Sequence, residues 1–151
     1  MKTSQPAPAY ASDQALWSRA VTLFGRVERE LSQALQRRHG ISLSEFRSLE
    51  NLHRADKDEL RMQDLAESVG LGQSSVTRLV ARLEKAGYAY KDLCPSDKRG
   101  VYAVITEDGR RRYQDACATY AEVLSSVLNT YAADPELGPS VQALRGAHGL
   151  Q

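Results

Sequence analysis

The sequence predicts a mainly α-helical chain with one small β-hairpin, in which two short helices and the hairpin stand between long helices at both ends. Three observations predict it. Within residues 65–86 two amphipathic runs meet at Gly70: Leu65, Ala66 and Val69 precede it, and Val76, Leu79, Val80 and Leu83 follow at i, i+3, i+4, i+7. After Gly87 the apolar period drops to two, through residues 88–93 and again through 100–105. Apolar residues also recur at helical spacing over long stretches near each end, in residues 12–39 and 106–132.

The hinge at Gly70 has the composition of a helix-turn-helix. Ala66 is small where two helices would cross, Gly70 is free to take a positive φ in the tight turn, and Val76 fills the angle between them. On the second helix Ser74, Arg78, Ala81 and Lys85 line the face opposite the apolar stripe, with Ser75, Thr77 and Arg82 on its shoulders. That face is basic and rich in hydroxyls, and a helix N-terminus adds amide donors. Phosphate oxygens and base edges in a major groove accept such groups. For any single basic amphipathic helix, the alternative is a solvated face beside a core.

Taken in order, residues 1–11 are rich in Pro, Ala, Ser and Gln and are expected to form a disordered tail. Residues 12–40 form a helix with Ser12 as N-cap and Gly40 as its stop. Its stripe of Leu16, Ala20, Leu23, Val27 and Leu31 is backed by Trp17, Val21 and Phe24, wider than one core contact needs, so a second face is available to a partner. Residues 42–105 make the helix-turn-helix region. Ser42 caps its first helix, with Glu45 completing a capping box and Phe46, Leu49 and Leu52 facing inward. A charged loop over 55–59 and a short strand over 60–62 lead to Gln63, which opens the helix before Gly70. The apolar strands of the hairpin are expected to be held rigidly against this headpiece, leaving a basic tip over 94–99. A helix-turn-helix followed by such a hairpin is a winged helix.

Residues 106–148 are helical again. Thr106 caps a helix on which Tyr113, Cys117, Tyr120, Leu124, Val127 and Tyr131 recur at steps of four and three, a seam that wants another helix. Asp134 and Pro135 end it, and a last helix over 136–147 carries Leu137, Val141 and Leu144. The long helices at both ends are therefore expected to dimerise the chain, through Leu16, Leu23, Val27, Tyr120, Leu124, Val127, Tyr131, Val141 and Leu144. Intramolecular core is the alternative for each.

With 151 residues the chain suits one domain with dimerisation arms. Its net charge of +1 hides an asymmetry: residues 73–112 hold nine Lys or Arg against five acids, a net +4, and the remainder is −3. Two cysteines make no disulfide framework, and the three histidines lack metal-ligand spacing, so no metal and no cofactor are expected. Neither a secretory signal nor a membrane-length apolar run is apparent, which makes a cytoplasmic protein with no membrane partner the default expectation. The residues contain no nucleophile paired with a base, carboxylate pair or glycine-rich phosphate loop, so an enzyme is not expected.

Over residues 16–144 the order of elements resembles the MarR family, the multiple-antibiotic-resistance type of winged-helix transcriptional regulator. Three stretches carry the resemblance: LRMQDLAESVGLGQSSVTRLVARLEKAGY, the Asp97-Lys98-Arg99 tip, and Ile105-Thr-Glu-Asp-Gly109 leading into the fifth helix. It implies an obligate homodimer, triangular in outline, with interleaved first, fifth and sixth helices, binding double-stranded DNA at an inverted repeat. Ser74, Ser75, Thr77 and Arg78 would lie in the major groove, flanked by Gln73 and Arg82. Arg99 would enter the minor groove beside Lys98, while Asp97 holds the tip in shape; Lys98 stands where members often have Arg and lacks its bidentate geometry. The resemblance further implies a repressor whose DNA affinity falls when a small aromatic effector binds between dimerisation helices and winged helix. Candidate wall residues for such a cleft are Trp17, Phe24, Phe46 and His53, each of which also suits a core.

Two other readings are open. Cys94 lies among Lys91, Lys98 and Arg99, cations that favour a thiolate, so it is a candidate redox switch or else an inert turn cysteine. A winged helix used for protein contact, with no DNA target of its own, is the reading from a different class.

Overall fold

Ser42 stops one helix from running into the next: its hydroxyl accepts a 3.1 Å hydrogen bond from the Glu45 amide, starting a new helix three residues after His39 ends the first. In the computed structural model, which describes residues 9–93 and 100–147, the order is α1 (Ala9–His39), α2 (Leu43–Arg54), a 3₁₀ turn (Asp56–Asp58), β1 (Glu59–Arg61), α3 (Met62–Val69), α4 (Gln73–Lys85), β2 (Ala89–Leu93), β3 (Val101–Ile105), α5 (Glu107–Ala132) and α6 (Gly138–Gly146). The chain is mainly helical with a small antiparallel sheet of order β1-β3-β2. Helix α1 starts at Ala9, so Ser12 lies inside it and is not its N-cap; no acid stands in its first turn, and the cap expected there is replaced by earlier helical residues. Helix α6 is two residues shorter at its start than expected, because Asp134 turns the chain first, accepting from the amides of Glu136 at 2.8 Å and Leu137 at 3.0 Å.

Two compact units follow from the packing, one of residues 32–120 and one combining the chain up to Leu31 with the chain from Ala121. The first is the winged helix. Phe46, Leu49, Leu52, Leu65, Val76, Leu79, Val80 and Leu83 fill its core, all essentially excluded from solvent. Phe46 stacks on Tyr120 at 4.6 Å between ring centroids and tilts against Tyr113 at 5.3 Å. The start of α5 is fastened to the root of the hairpin by Thr106, whose hydroxyl donates to the Gly87 carbonyl at 2.6 Å and accepts from the Gly109 amide at 3.0 Å. A side chain at position 109 would overlap the Tyr88 carbonyl, so glycine is required there by close approach. Beyond the reach of β1, the hairpin is only a two-stranded ribbon. Leu93, 73% exposed, faces Val101 across it, and the outer strands are not held by the core as the sequence suggested, because β1 covers β3 only from Tyr102 to Val104.

The second unit is helical. Leu23 on α1 packs with Leu137 and Val141, and Val27, Leu128, Tyr131 and Ala132 close around them. The Arg26 guanidinium lies 5.2 Å from the Tyr131 ring centroid, and Arg145 donates to the Asn129 side chain at 2.7 Å. The residues expected at a dimer surface differ in how far the chain itself covers them. Leu23, Val27, Val127 and Val141 are wholly or largely covered by the chain itself, and Tyr120, in the other unit, is stacked on Phe46. Leu124 and Tyr131 are half-buried, while Leu16 and Leu144 are exposed. The apolar belt of α1 splits in two: the Leu23 side meets its own chain, and Trp17, Val21 and Phe24, turned away from it, are at least half exposed.

Candidate nucleic-acid interface

The turn between α3 and α4 follows from Gly70, which takes φ 71° and ψ 31°, a left-handed conformation open to glycine without strain. Its amide donates to the Glu67 carbonyl at 3.2 Å, and the next amide, of Leu71, reaches back to Ala66 at 2.9 Å. Helix α4 then begins after Gly72, whose side-chain-free position gives no cap, so the amides of the first turn have no side-chain acceptor. That leaves a helix N-terminus open to an anion, with no acid in its first turn and Arg82 and Lys85 in its last.

One face of α4 is pinned by Val76, Leu79, Val80 and Leu83, and the opposite face is open. Gln73, Ser74, Thr77, Arg78, Arg82 and Lys85 are exposed and Ser75 is half-buried, as the helical spacing predicts. The Thr77 hydroxyl donates to the Gln73 carbonyl at 2.8 Å, so toward solvent it offers lone pairs and a methyl group, an acceptor and an apolar surface. Arg78 makes no ion pair among the described residues. Arg82 lies 3.9 Å from the Glu45 carboxylate, a loose contact that leaves most of its guanidinium in solvent. Lys91, on the hairpin, is 3.4 Å from Glu84 and so ties β2 to the end of α4. The residues expected at the wing tip, Cys94, Asp97, Lys98 and Arg99, lie outside the described residues.

The aromatic residues expected to wall an effector cleft divide between the two units. Trp17 and Phe24 are exposed on α1 in one, and Phe46 is buried in the core of the other, stacked on Tyr120 and tilted against Tyr113. His53 is half-buried, its ring 5.2 Å from that of Tyr113, and its Nδ1 is buried with no hydrogen-bond partner among the described residues. Burial, and next the neighbouring Cys117 thiol, push the Tyr113 hydroxyl up to about 12.

Several long-range polar contacts have no sequence signature beyond an ordinary charged or polar residue. Arg112 donates to the His39 carbonyl at 3.1 Å and so satisfies the end of α1, and the His39 ring is 2.7 Å from the Thr119 hydroxyl. Arg61 donates to the Tyr102 hydroxyl at 3.0 Å across the sheet. Arg110 clasps Asp58, and that guanidinium holds the Asp58 carboxyl below the usual carboxylate range. Each joins residues 41 to 80 positions apart. Among the described residues no group of three His, Cys, Asp or Glu is placed to hold a metal ion, and no helix is long and apolar enough to cross a membrane.

Residues 39–100 match the model of the MarR family. The chain is 32% identical over 71 residues to YkoM of Bacillus subtilis (strain 168), described as an uncharacterized HTH-type transcriptional regulator, covering 47% of this chain and 45% of that protein. It is 27% identical over 92 residues to the HTH-type transcriptional regulator MhqR of the same organism, covering 61% and 62%. The chain thus spans between about half and three fifths of the length of these curated relatives. Among solved structures it is similar to Sco3205, a MarR family transcriptional regulator from Streptomyces coelicolor crystallised in complex with DNA, at 28% identity and a TM-score of 0.75, covering 99% of this chain and 94% of that one.

Proposed function

We propose that the chain is a MarR-type DNA-binding transcriptional regulator, acting as a homodimer on an inverted repeat and as a repressor that a small aromatic ligand releases; its similarity to the MarR family model over residues 39–100 and to Sco3205 supports this reading. The observation that carries the DNA-binding reading is α4. Four of its side chains are fully buried, so the helix is held rigidly, and its other face presents Gln73, Ser74, Thr77 and Arg78 beside an uncapped N-terminus. Ser75, Arg82 and the wing-tip pair Lys98 and Arg99 complete the proposed contact set, with Asp97 positioning the tip. The DNA in the Sco3205 structure is in keeping with this surface.

Dimerisation is supported by the outer stripe of α1, where Trp17 is 71% and Phe24 61% exposed, with Leu16 and Val21 beside them. Large apolar side chains grouped in this way mark an interaction surface. A two-fold protein demands a two-fold site, hence the inverted repeat. The proposed response to a ligand rests on the similarity to the MarR family and on His53 Nδ1, which is buried beside Tyr113 with no hydrogen-bond partner among the described residues.

Titration of labelled DNA from the upstream region, with and without a panel of aromatic acids, tests the proposal. Salt-dependent binding to one inverted repeat, weakened by an acid, is the expected result. Equal affinity for that DNA and for random duplex would overturn sequence-specific regulation, and indifference to every acid would remove the ligand from it.

A further inference from the structure

Lys57 and Asp58 both stand at φ 59°, side by side in the left-handed region that residues other than glycine rarely adopt. Such a turn persists only where its surroundings hold it. What holds this one is Arg110, on the first turn of α5: Nη2 is 2.7 Å from Asp58 Oδ2 and Nη1 is 3.4 Å from Oδ1, a two-point grip that also fixes the direction of the carboxylate. The Glu107 carboxylate, 3.4 Å from Arg110 Nε, steadies the guanidinium from its own helix.

No slack separates this turn from the DNA-reading elements. Glu59 enters β1 directly, β1 pairs with β3 in the register Glu59↔Val104, Leu60↔Ala103 and Arg61↔Tyr102, and Met62 starts α3 with no intervening loop. On the other side, Tyr113 lies one helical turn beyond Arg110 and packs on Phe46 and His53 of α2. The guanidinium therefore joins a helix seated on the core to the edge of the sheet from which the wing projects.

We propose that the Asp58–Arg110 pair positions the wing and α3 for DNA, by holding the left-handed Lys57–Asp58 turn against α5. This rests on the DNA-binding reading above, and it makes neither residue a DNA contact. Both side chains are about one-third exposed, at 35% and 29%, and exposed pairs of this kind add little to overall stability. Loss of the pair should therefore be felt as a misplaced turn more than as a lower melting temperature.

Full-length Arg110→Gln and Asp58→Asn variants provide the test, each with and without Lys57→Gly, because glycine takes the left-handed backbone without strain and so removes part of the strain the pair must hold, position 58 remaining left-handed. Arg110→Gln is expected to speed amide exchange over residues 59–61 and to weaken operator binding about fivefold with an unchanged salt slope. Lys57→Gly in the same chain should restore both in part, measured against Lys57→Gly alone, since it relieves one of the two left-handed residues. The proposal is overturned if exchange over 59–61 keeps its wild-type rate in Arg110→Gln, if Lys57→Gly leaves the faster exchange of that variant unchanged, or if the salt slope falls by about one, which would make Arg110 itself a phosphate contact. Were the wild type to bind no DNA, the DNA reading would fail on its own, and the exchange rates would still decide whether the pair holds the turn.

Discussion

Thr106 and Gly87, 19 residues apart, are joined by a 2.6 Å hydrogen bond that closes the wing back onto the start of α5. The same hydroxyl caps α5 through the Gly109 amide, so one side chain ends the hairpin and begins the helix. Thr106→Val keeps the shape and loses both bonds. It should cost about 1–2 kcal/mol in urea unfolding, and Gly109→Ala, which forces a methyl into the Tyr88 carbonyl, about 1–3 kcal/mol.

Gly70 separates α3 from α4 at a positive φ that a β-carbon opposes, although the space around it is open. Gly70→Ala should lower stability by about 1–2 kcal/mol through backbone strain alone. Thermal unfolding followed by circular dichroism would show it as a fall of several degrees in Tm; an unchanged Tm would mean that the turn relaxes at no cost.

Tyr113 gives the protein an alkaline limit. Its folded-state value of about 12 lies above the ordinary tyrosine value near 10, so the folded chain keeps the proton that the unfolded chain releases. The corresponding stability is fully present below about pH 10 and is lost as pH rises from there toward 12. In Tyr113→Phe the fall in unfolding free energy over that window should be smaller than in the wild type.

Arg78 is the exposed cation in the middle of the α4 face. Arg78→Ala should weaken operator binding by about 1–3 kcal/mol and relax preference at one base pair per half-site, read by competition with single-base variants of the operator. Uniform weakening on all sequences would assign it to a phosphate.

The outer stripe of α1 predicts how the proposed dimer behaves. Trp17→Ser should raise the dimer dissociation constant by about 30-fold, the effect of losing an aromatic anchor worth about 2 kcal/mol, as measured by sedimentation equilibrium. Since the side chain is exposed in the single chain, its loss should leave the folded unit intact. A monomeric wild type at micromolar concentration would refute the dimer.

Much of the fold was legible in the sequence because the signals were local. Val76, Leu79, Val80 and Leu83 share a face through the geometry of one helix, Gly70 marks a turn by lacking a β-carbon, and Ser42 and Thr106 cap helices within three residues of themselves. The exposed face of α4 needed nothing more, and its residues lie where that period puts them.

Contacts across long stretches of chain were decided only by the tertiary structure. Both apolar sides of α1 look alike in sequence, yet Leu23 is covered by Leu137 and Val141, more than 110 residues away, while Trp17 and Phe24 are left bare. Phe46 is spent on Tyr113 and Tyr120 for the same reason, and Arg110 finds Asp58 across 52 residues of chain. Helical period states which side chains point the same way along one element, but which of two equivalent faces is buried, and which cation meets which anion, depends on how elements far apart in sequence are brought together. That is set by the packing of the whole chain.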